Sequence, residues 1–437
     1  MTVSAGGRGG GPAGKNETLP VDERRRFVSR NTVLLATAQG LATMTFPVLL
    51  IVGSVAAVDI SGRDSAVGVI NGSYFIAAAA GAVLFGRWMD RTGRRPGLAA
   101  SYLLLATAGG VCAFAIAQGW FLLLLAGTVL FGFAFGGSNL ARGAVADMYE
   151  PSQRGRAVGI VLAVGTIGAV GSPFLIAFLR GWAGREAIDA DVLPWIVVPA
   201  TAIAAFACAL SLRPDPRDLA VRVEVASDTG ARTPRQLLRI GQFRTAVIAA
   251  AVGQMAMVAV MGVTPVALHH HDTSATVVST VISLHIAGMW VFSPVIGAAL
   301  DRFGRRPGLI AGGATSVVGA LFAATDAGPG LVAVGLFAIG LGWSATFLGA
   351  TAVISDLTEP NERASALGFT DLLVSLSSAV AGLAGGFVFE GAGFRILGLG
   401  VASVVLLVVL AVARRREPVP VRVASAPSQG DRRARVP

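Results

Sequence analysis

The chain has 437 residues, of which 54% are hydrophobic and only 14% charged, with a mean hydropathy of +0.69. A soluble domain of this size could not hide so much apolar surface, so lipid must be the solvent for most of it. The formal charge of +10 is almost entirely arginine, Lys15 being the only lysine, and the arginines gather at helix ends, a pattern of membrane orientation that needs no nucleic acid.

Residues 1–30 are Gly-rich and polar and read as a disordered cytoplasmic tail, with no cleavable signal peptide. Six apolar runs follow at 32–58, 67–87, 96–118, 120–147, 155–180 and 193–212, each long enough to cross a bilayer, and make an N-terminal bundle over 31–212. The long interior polar stretch 213–243, with Arg213, Arg217, Arg222, Arg232, Arg235 and Arg239, reads as a cytoplasmic linker. Six further runs at 244–268, 275–299, 307–325, 331–355, 364–388 and 394–413 make a C-terminal bundle over 244–413. Residues 414–437 read as a second disordered cytoplasmic tail. The expected fold class is an all-α membrane protein with 12 transmembrane helices in two pseudo-symmetric six-helix bundles. Cys112 and Cys208 both fall inside apolar runs, where a small packing role fits and no disulfide framework is implied.

The two bundles share sequence. Asp90-Arg-Thr-Gly-Arg-Arg-Pro-Gly-Leu98 returns as Asp301-Arg-Phe-Gly-Arg-Arg-Pro-Gly-Leu309, an offset of 301 − 90 = 211. Asp147-Met-Tyr-Glu-Pro-Ser-Gln-Arg154 matches Asp356-Leu-Thr-Glu-Pro-Asn-Glu-Arg363, an offset of 356 − 147 = 209. Two independent pairs with nearly equal offsets describe a parallel repeat of six helices, one of the repeat types of secondary transporters. Orientation follows from arginine. One side holds Arg24, Arg25, Arg26, Arg30, Arg91, Arg94, Arg95, Arg154, Arg156, the linker, Arg302, Arg305, Arg306, Arg363, Arg414, Arg415 and Arg416; the other holds little beyond Arg63, Arg180, Arg185 and Arg395. The positive-inside rule then predicts a multi-pass plasma-membrane protein with both termini and the linker in the cytoplasm.

Gly86-x-x-x-Asp90-Arg91-x-Gly93-Arg94-Arg95 and Gly297-x-x-x-Asp301-Arg302-x-Gly304-Arg305-Arg306 resemble the signature of the major facilitator superfamily between its second and third, and eighth and ninth, helices. The resemblance covers essentially the whole chain and implies that superfamily's fold. Physically, Gly93 and Gly304 permit a helix reversal within a few residues. The Asp and Arg of each loop can pair with helix ends and with Asp147 or Asp356, and Arg154 and Arg363 close the second repeated motif. Charge clusters that lock one conformation and release another are what alternating access requires, so these residues are read as cytoplasmic gates.

All four histidines, His269, His270, His271 and His285, lie in or between the seventh and eighth runs, with Met257, Met261 and Met289. Met257-x-x-x-Met261 and His285-x-x-x-Met289 each stack two side chains on one helix face. At about 1.5 Å per residue from the outer ends, Met261 lies about 12 Å deep, His285 about 16 Å, Met257 about 18 Å and Met289 about 22 Å. Such a ladder of thioether and imidazole suits Cu(I), and His269, His270 and His271 would collect metal at the outer mouth. The two motifs resemble those of the copper-importing, CcoA-like branch of the superfamily, in which the same residues are the proposed metal ligands. Methionine as plain core filler and a hydrogen-bonded or proton-relaying His285 are the competing readings.

Two charges fall inside the runs. Asp371 lies about 12 Å from the cytoplasmic end of the eleventh and Arg142 about 8 Å from that of the fourth. Either they pair across the halves when the cytoplasmic side is closed, with Asp371 free to take a proton when it opens, or each hydrogen-bonds locally. The leading expectation is therefore a carrier that takes up copper as its transported substrate. The alternative is a proton-coupled exporter of amphipathic organic molecules, for which Gly159-x8-Gly168-x3-Ser172-Pro173 offers a degraded match to the superfamily's antiporter motif. No phosphate-binding loop and no nucleophile–base pair is evident, so neither an enzyme nor an ATP-driven pump is expected. The expected partners are the lipid bilayer and a small-molecule or metal-ion substrate, with no cofactor and no second subunit.

Overall fold

The computed structural model describes residues 20–150, 153–186, 189–221, 232–325 and 327–414. The expected tails at 1–19 and 415–437, and Arg222 of the linker, lie outside the described residues. Residues 21–30, read above as tail, are instead the opening turns of a helix. Asp22 and Glu23 occupy its first turn, where the helix dipole favours acids. Arg24 and Arg30 then reach the Leu219 and Arg213 carbonyls at 2.9 and 2.7 Å, which ties these polar turns to the bundle.

Among the described residues the regular structure is helical throughout. The first span runs Val21–Thr43, breaks before Pro47, passes a π-helical turn at Leu49–Gly53 and ends with Ser54–Ser61. Pro47 cannot donate a backbone hydrogen bond, so the ladder must be interrupted there. Spans two to six are Ser65–Thr92, Arg94–Gln118, Phe121–Ser138 with Ala141–Asp147, Arg154–Arg185, and Leu193–Ile196 with Val197–Leu210. Spans seven to ten are Gly241–His269, Ala275–Trp290 with Ser293–Phe303, Arg305–Ala324 and Pro329–Leu357. The final helix, Pro360–Ala413, has 54 residues, about 80 Å at 1.5 Å per residue, far more than a bilayer core of about 30 Å. It is broken at Gly393, whose φ of 79° and ψ of 172° no helix contains, and so supplies the eleventh and twelfth spans. The expected twelve-span, two-bundle architecture is what the chain adopts.

Within each half, small residues let backbones touch. A Cβ on Gly136 would collide with the Ala78 carbonyl, and one on Gly340 would lie 2.5 Å from the His285 carbonyl. These are the equivalent contacts of spans two and four and of spans eight and ten. Lipid offers no hydrophobic drive for helices to associate, so close backbone packing of this kind carries the association.

The halves meet most tightly on the face opposite the charged repeats. Spans two and eleven approach so closely that a Cβ on Gly68 would lie 2.7 Å from the Leu383 carbonyl, and one on Gly382 would lie 2.8 Å from the Gly72 nitrogen. Asn71 donates to the Gly262 carbonyl at 3.3 Å, and Ser283 to the Val170 carbonyl at 3.0 Å. Charge adds to this seal. Arg63 meets Glu390 at 3.3 Å, and the Ser65 amide donates to the same carboxylate at 3.0 Å. His270 lies 3.2 Å from Asp64 and His269 3.8 Å from Asp59. The molecule is thus closed on that face.

Candidate functional site: a cavity between the halves

Behind this seal lies a cavity of about 320 Å³, within the range of small-molecule sites. Both halves line it. The N-terminal half contributes Gln39, Thr43, Asn139, Arg142 and Thr166, together with Phe46, Tyr74 and Phe135. The C-terminal half contributes Gln254, Met257, Met261, Met289, Trp290 and Trp343. Arg142 is exposed although it lines the cavity, so water reaches the space from the arginine-rich face. A second void of similar size, between spans seven, eleven and twelve, is walled by Met255, Val380, Ala384 and Ile396 and lies within one half; it offers no polar group to orient a solute.

The aromatic side chains are held in place. Phe46, Tyr74 and Phe135 cluster with ring centroids 5.2 to 6.1 Å apart. Trp290 meets Trp343 edge-on at 5.3 Å, and Trp343 stacks on Phe347 at 5.1 Å. The Trp343 indole donates to Gln254 Oε1 at 2.7 Å, which fixes the ring plane. Across the cavity Gln39 donates to Asn139 Oδ1 at 3.1 Å, while Gln39 Oε1 is buried with no partner among the described residues.

The expected metal ladder is only partly assembled. Met257, Met261 and Met289 line the cavity. His285 does not. Its Nδ1 lies 2.6 Å from the Leu336 carbonyl of span ten, so this nitrogen carries the proton and donates, and Nε2 is buried without a partner among the described residues. The i, i+4 spacing put His285 and Met289 on one stripe of span eight, but that stripe straddles two neighbours: Met289 lines the cavity while the His285 ring meets span ten. The triple histidine is likewise not a metal cluster: among the described residues no group of three His, Cys, Asp or Glu is arranged to hold an ion. His269 and His270 face carboxylates of the other half, and His271 is exposed.

The twin charged turns are built alike. Arg94 lies between Asp90 and Asp147, each 2.9 Å away; Arg305 lies between Asp301 at 2.7 Å and Asp356 at 3.1 Å. Gly93 and Gly304 adopt nearly the same conformation, φ 108° and ψ 163° against φ 96° and ψ 161°, a region that side chains disfavour. Arg154 and Arg363 reach back to the Tyr149 and Ser355 carbonyls at 3.1 and 2.9 Å. Arg302 lies over the Phe303 ring, Arg306 donates to the Ala413 carbonyl, and the Arg91 carbonyl accepts from Arg217. Arg95 uses its amide to reach Asp215 at 2.8 Å. Gly86 and Gly297 make no close approach: a Cβ at Gly297 would meet nothing, and one at Gly86 only Leu140 at 3.9 Å.

The sequence profile of the Major Facilitator Superfamily matches residues 31–273 and again 246–437. The chain belongs to that superfamily. It is a transporter and not an enzyme. It is similar to the uncharacterized MFS-type transporter YdeG of Bacillus subtilis (30% identical, over 84% of this chain and 87% of that protein). It is also similar to the riboflavin transporter RfnT of Brucella anthropi (26% identical, over 89% and 96%). In fold it is similar to the nucleoside transporter NupG, with a TM-score of 0.67 at 16% identity, over 88% of this chain and 99% of that one. Neither of these two relatives is named for copper.

On this superfamily scaffold, several residues that sequence reading passed over hold the loops. Asp215 accepts from the Arg94 and Arg95 amides at 3.0 and 2.8 Å and so caps span three. Arg232 grips Glu362 through Nε and Nη2, both at 2.7 Å, and through its amide at 2.8 Å. Those hydrogen bonds, Arg232's first, hold the Glu362 carboxyl at about 2, below the usual carboxylate range. The cavity walls were missed as well. Gln39, Asn139 and Gln254 could have been found, because amides inside spans need partners just as carboxylates do. Phe46, Trp290 and Trp343 carry no such signal, since an aromatic in an apolar run looks the same facing lipid or cavity.

Arg142 and Asp371 interact electrostatically across the halves. They make no direct ion pair among the described residues: the hydrogen bond Arg142 donates goes from Nε to the Asn139 carbonyl at 3.2 Å.

Proposed function

We propose that the chain carries an amphipathic organic solute with a planar ring, by alternating access, as a monomer in the plasma membrane with both termini cytoplasmic. The observation that carries this reading is the lining of the shared cavity, with aromatic faces on both walls and amides between them. The Brucella anthropi relative is named for riboflavin, a planar hydrogen-bonding molecule, and agrees with such a lining. On this orientation the twin Asp–Arg–Asp clusters are cytoplasmic gates and the conformation described is inward-facing. Asp371, near Arg142, serves as the proton-coupling group. Replacing it by Asn is expected to uncouple transport from a proton gradient, and proton-driven transport unchanged in Asp371→Asn would remove that role.

Copper uptake remains the second reading, on one observation: three thioethers share the cavity, and soft ligands favour Cu(I). The His285 imidazole does not line that cavity. One experiment separates the two. Cells expressing the protein, compared with empty-vector cells, are expected to differ in riboflavin and planar-dye accumulation, with the difference lost in Trp343→Ala. A change in copper content that disappears in Met257→Ala, Met261→Ala and Met289→Ala, with flavin and dye unaffected, would establish copper instead.

A further inference from the structure

We infer that the solute is an anion, its charged group docked on Arg142. This rests on the planar-solute reading above and narrows it. Among the described residues lining the cavity, Arg142 is the one with a formal charge. Its Nε is held by the Asn139 carbonyl at 3.2 Å, and its terminal nitrogens make no hydrogen bond or ion pair among the described residues. Asp371, across the halves, makes no ion pair with it among the described residues. A cation inside a bilayer-spanning bundle faces protein or a water-filled cavity, and low-dielectric walls focus its field on whatever enters. Guanidinium presents a planar fork that takes carboxylate or phosphate through two parallel hydrogen bonds.

The neighbouring groups extend this site. Asn139 gives its Oδ1 to Gln39 and keeps its Nδ2 as a further donor beside Arg142. Thr43 and Thr166 are committed to backbone carbonyls at 2.8 Å each and do not compete. The wall of Met257, Met261 and Met289 and the Trp290–Trp343 pair hold no charge. The cavity is therefore polarised, with a cationic, donor-rich end on the N-terminal half and an apolar, aromatic wall on the C-terminal half. A planar aromatic or heteroaromatic acid matches both ends at once.

The test uses the purified full-length chain in lipid nanodiscs, with quenching of tryptophan fluorescence as readout. Two probes of the same shape are compared at neutral pH: naphthalene-2-carboxylate, which is ionised, and 2-naphthamide, which is not. The wild type is expected to bind the carboxylate at least tenfold more tightly. Arg142→Gln should lose that preference, binding carboxylate and amide within about twofold of each other, and thermal unfolding close to that of wild type shows that the variant is folded. Arg142→Lys should keep a reduced preference. Asp371→Asn should tighten carboxylate binding several-fold, because it removes the competing anion, a result that a purely structural role for Arg142 does not give. Equal binding of both probes by the wild type, or an undiminished preference in Arg142→Gln, overturns the anion assignment alone. Binding of neither probe overturns the planar-solute reading together with it.

Discussion

At the scale of single residues, His285 shows how a strong sequence signal can be right about cost and wrong about role. A midplane histidine needs a partner, and the Leu336 carbonyl is that partner. His285→Ala is expected to lower thermal stability by about 1–3 kcal/mol, the cost of leaving a buried group unpaired. Planar-probe binding should stay within a few-fold of wild type. Full stability with lost binding would return the imidazole to the cavity. Glu362 makes a prediction of opposite origin, because its carboxyl is held at about 2 by Arg232. A folded-state value below the unfolded one, about 4.3, means the interaction stabilises fully above that pH. The contribution disappears as pH falls towards 2. Unfolding measured from pH 5 down to 2 should therefore show a steeper loss for wild type than for Glu362→Gln, and parallel curves would remove the pair as a determinant of acid stability.

At the scale of elements, what was legible in the sequence was what is local. Span lengths, the two repeated turns and their Asp90–Arg94 and Asp301–Arg305 pairs follow from hydropathy and from residues a few positions apart, and the break at Gly393 falls in the expected gap between 388 and 394. The rotation of each helix about its axis was not legible. It is set by contacts such as Gly340 on the His285 backbone, which join residues far apart in sequence. The same contacts make the seal between spans two and eleven testable. A side chain at Gly68 must displace the Leu383 carbonyl or the Gly386 Cα, 2.7 and 2.8 Å from its Cβ, and backbone cannot yield as a side chain does. Gly68→Leu should favour conformations open on the face opposite the charged turns. Spin labels at Arg185→Cys and Thr325→Cys would report a longer mean distance in this background, and an unchanged distribution would show that the seal lies elsewhere.

At the scale of the whole molecule, the two faces differ in kind. The arginine-rich face is held by pairs within each half, whereas the opposite face is joined by pairs between the halves: Arg63 with Glu390, His270 with Asp64 and His269 with Asp59. The histidine pairs are ionic only when imidazole is protonated, and the neighbouring Arg180–Asp191 pair at 2.8 Å lies within one half. Pairs that join the halves should therefore favour closure. With the same labels, Asp59→Asn with Asp64→Asn and Glu390→Gln should lower the closed population relative to wild type. An unchanged population in the triple variant would show that these pairs do not hold the face shut.

The three methionines on the C-terminal wall set how choosy the carrier can be. Thioether side chains are unbranched and polarizable and adjust to uneven shapes, whereas the Gln39–Asn139 amide pair is a fixed pattern of donor and acceptor. Analogues differing in bulk at the edge that meets sulfur should compete almost equally. Analogues that move a nitrogen or oxygen at the amide edge should be turned away, so the transporter is tolerant of size and strict about hydrogen-bonding pattern.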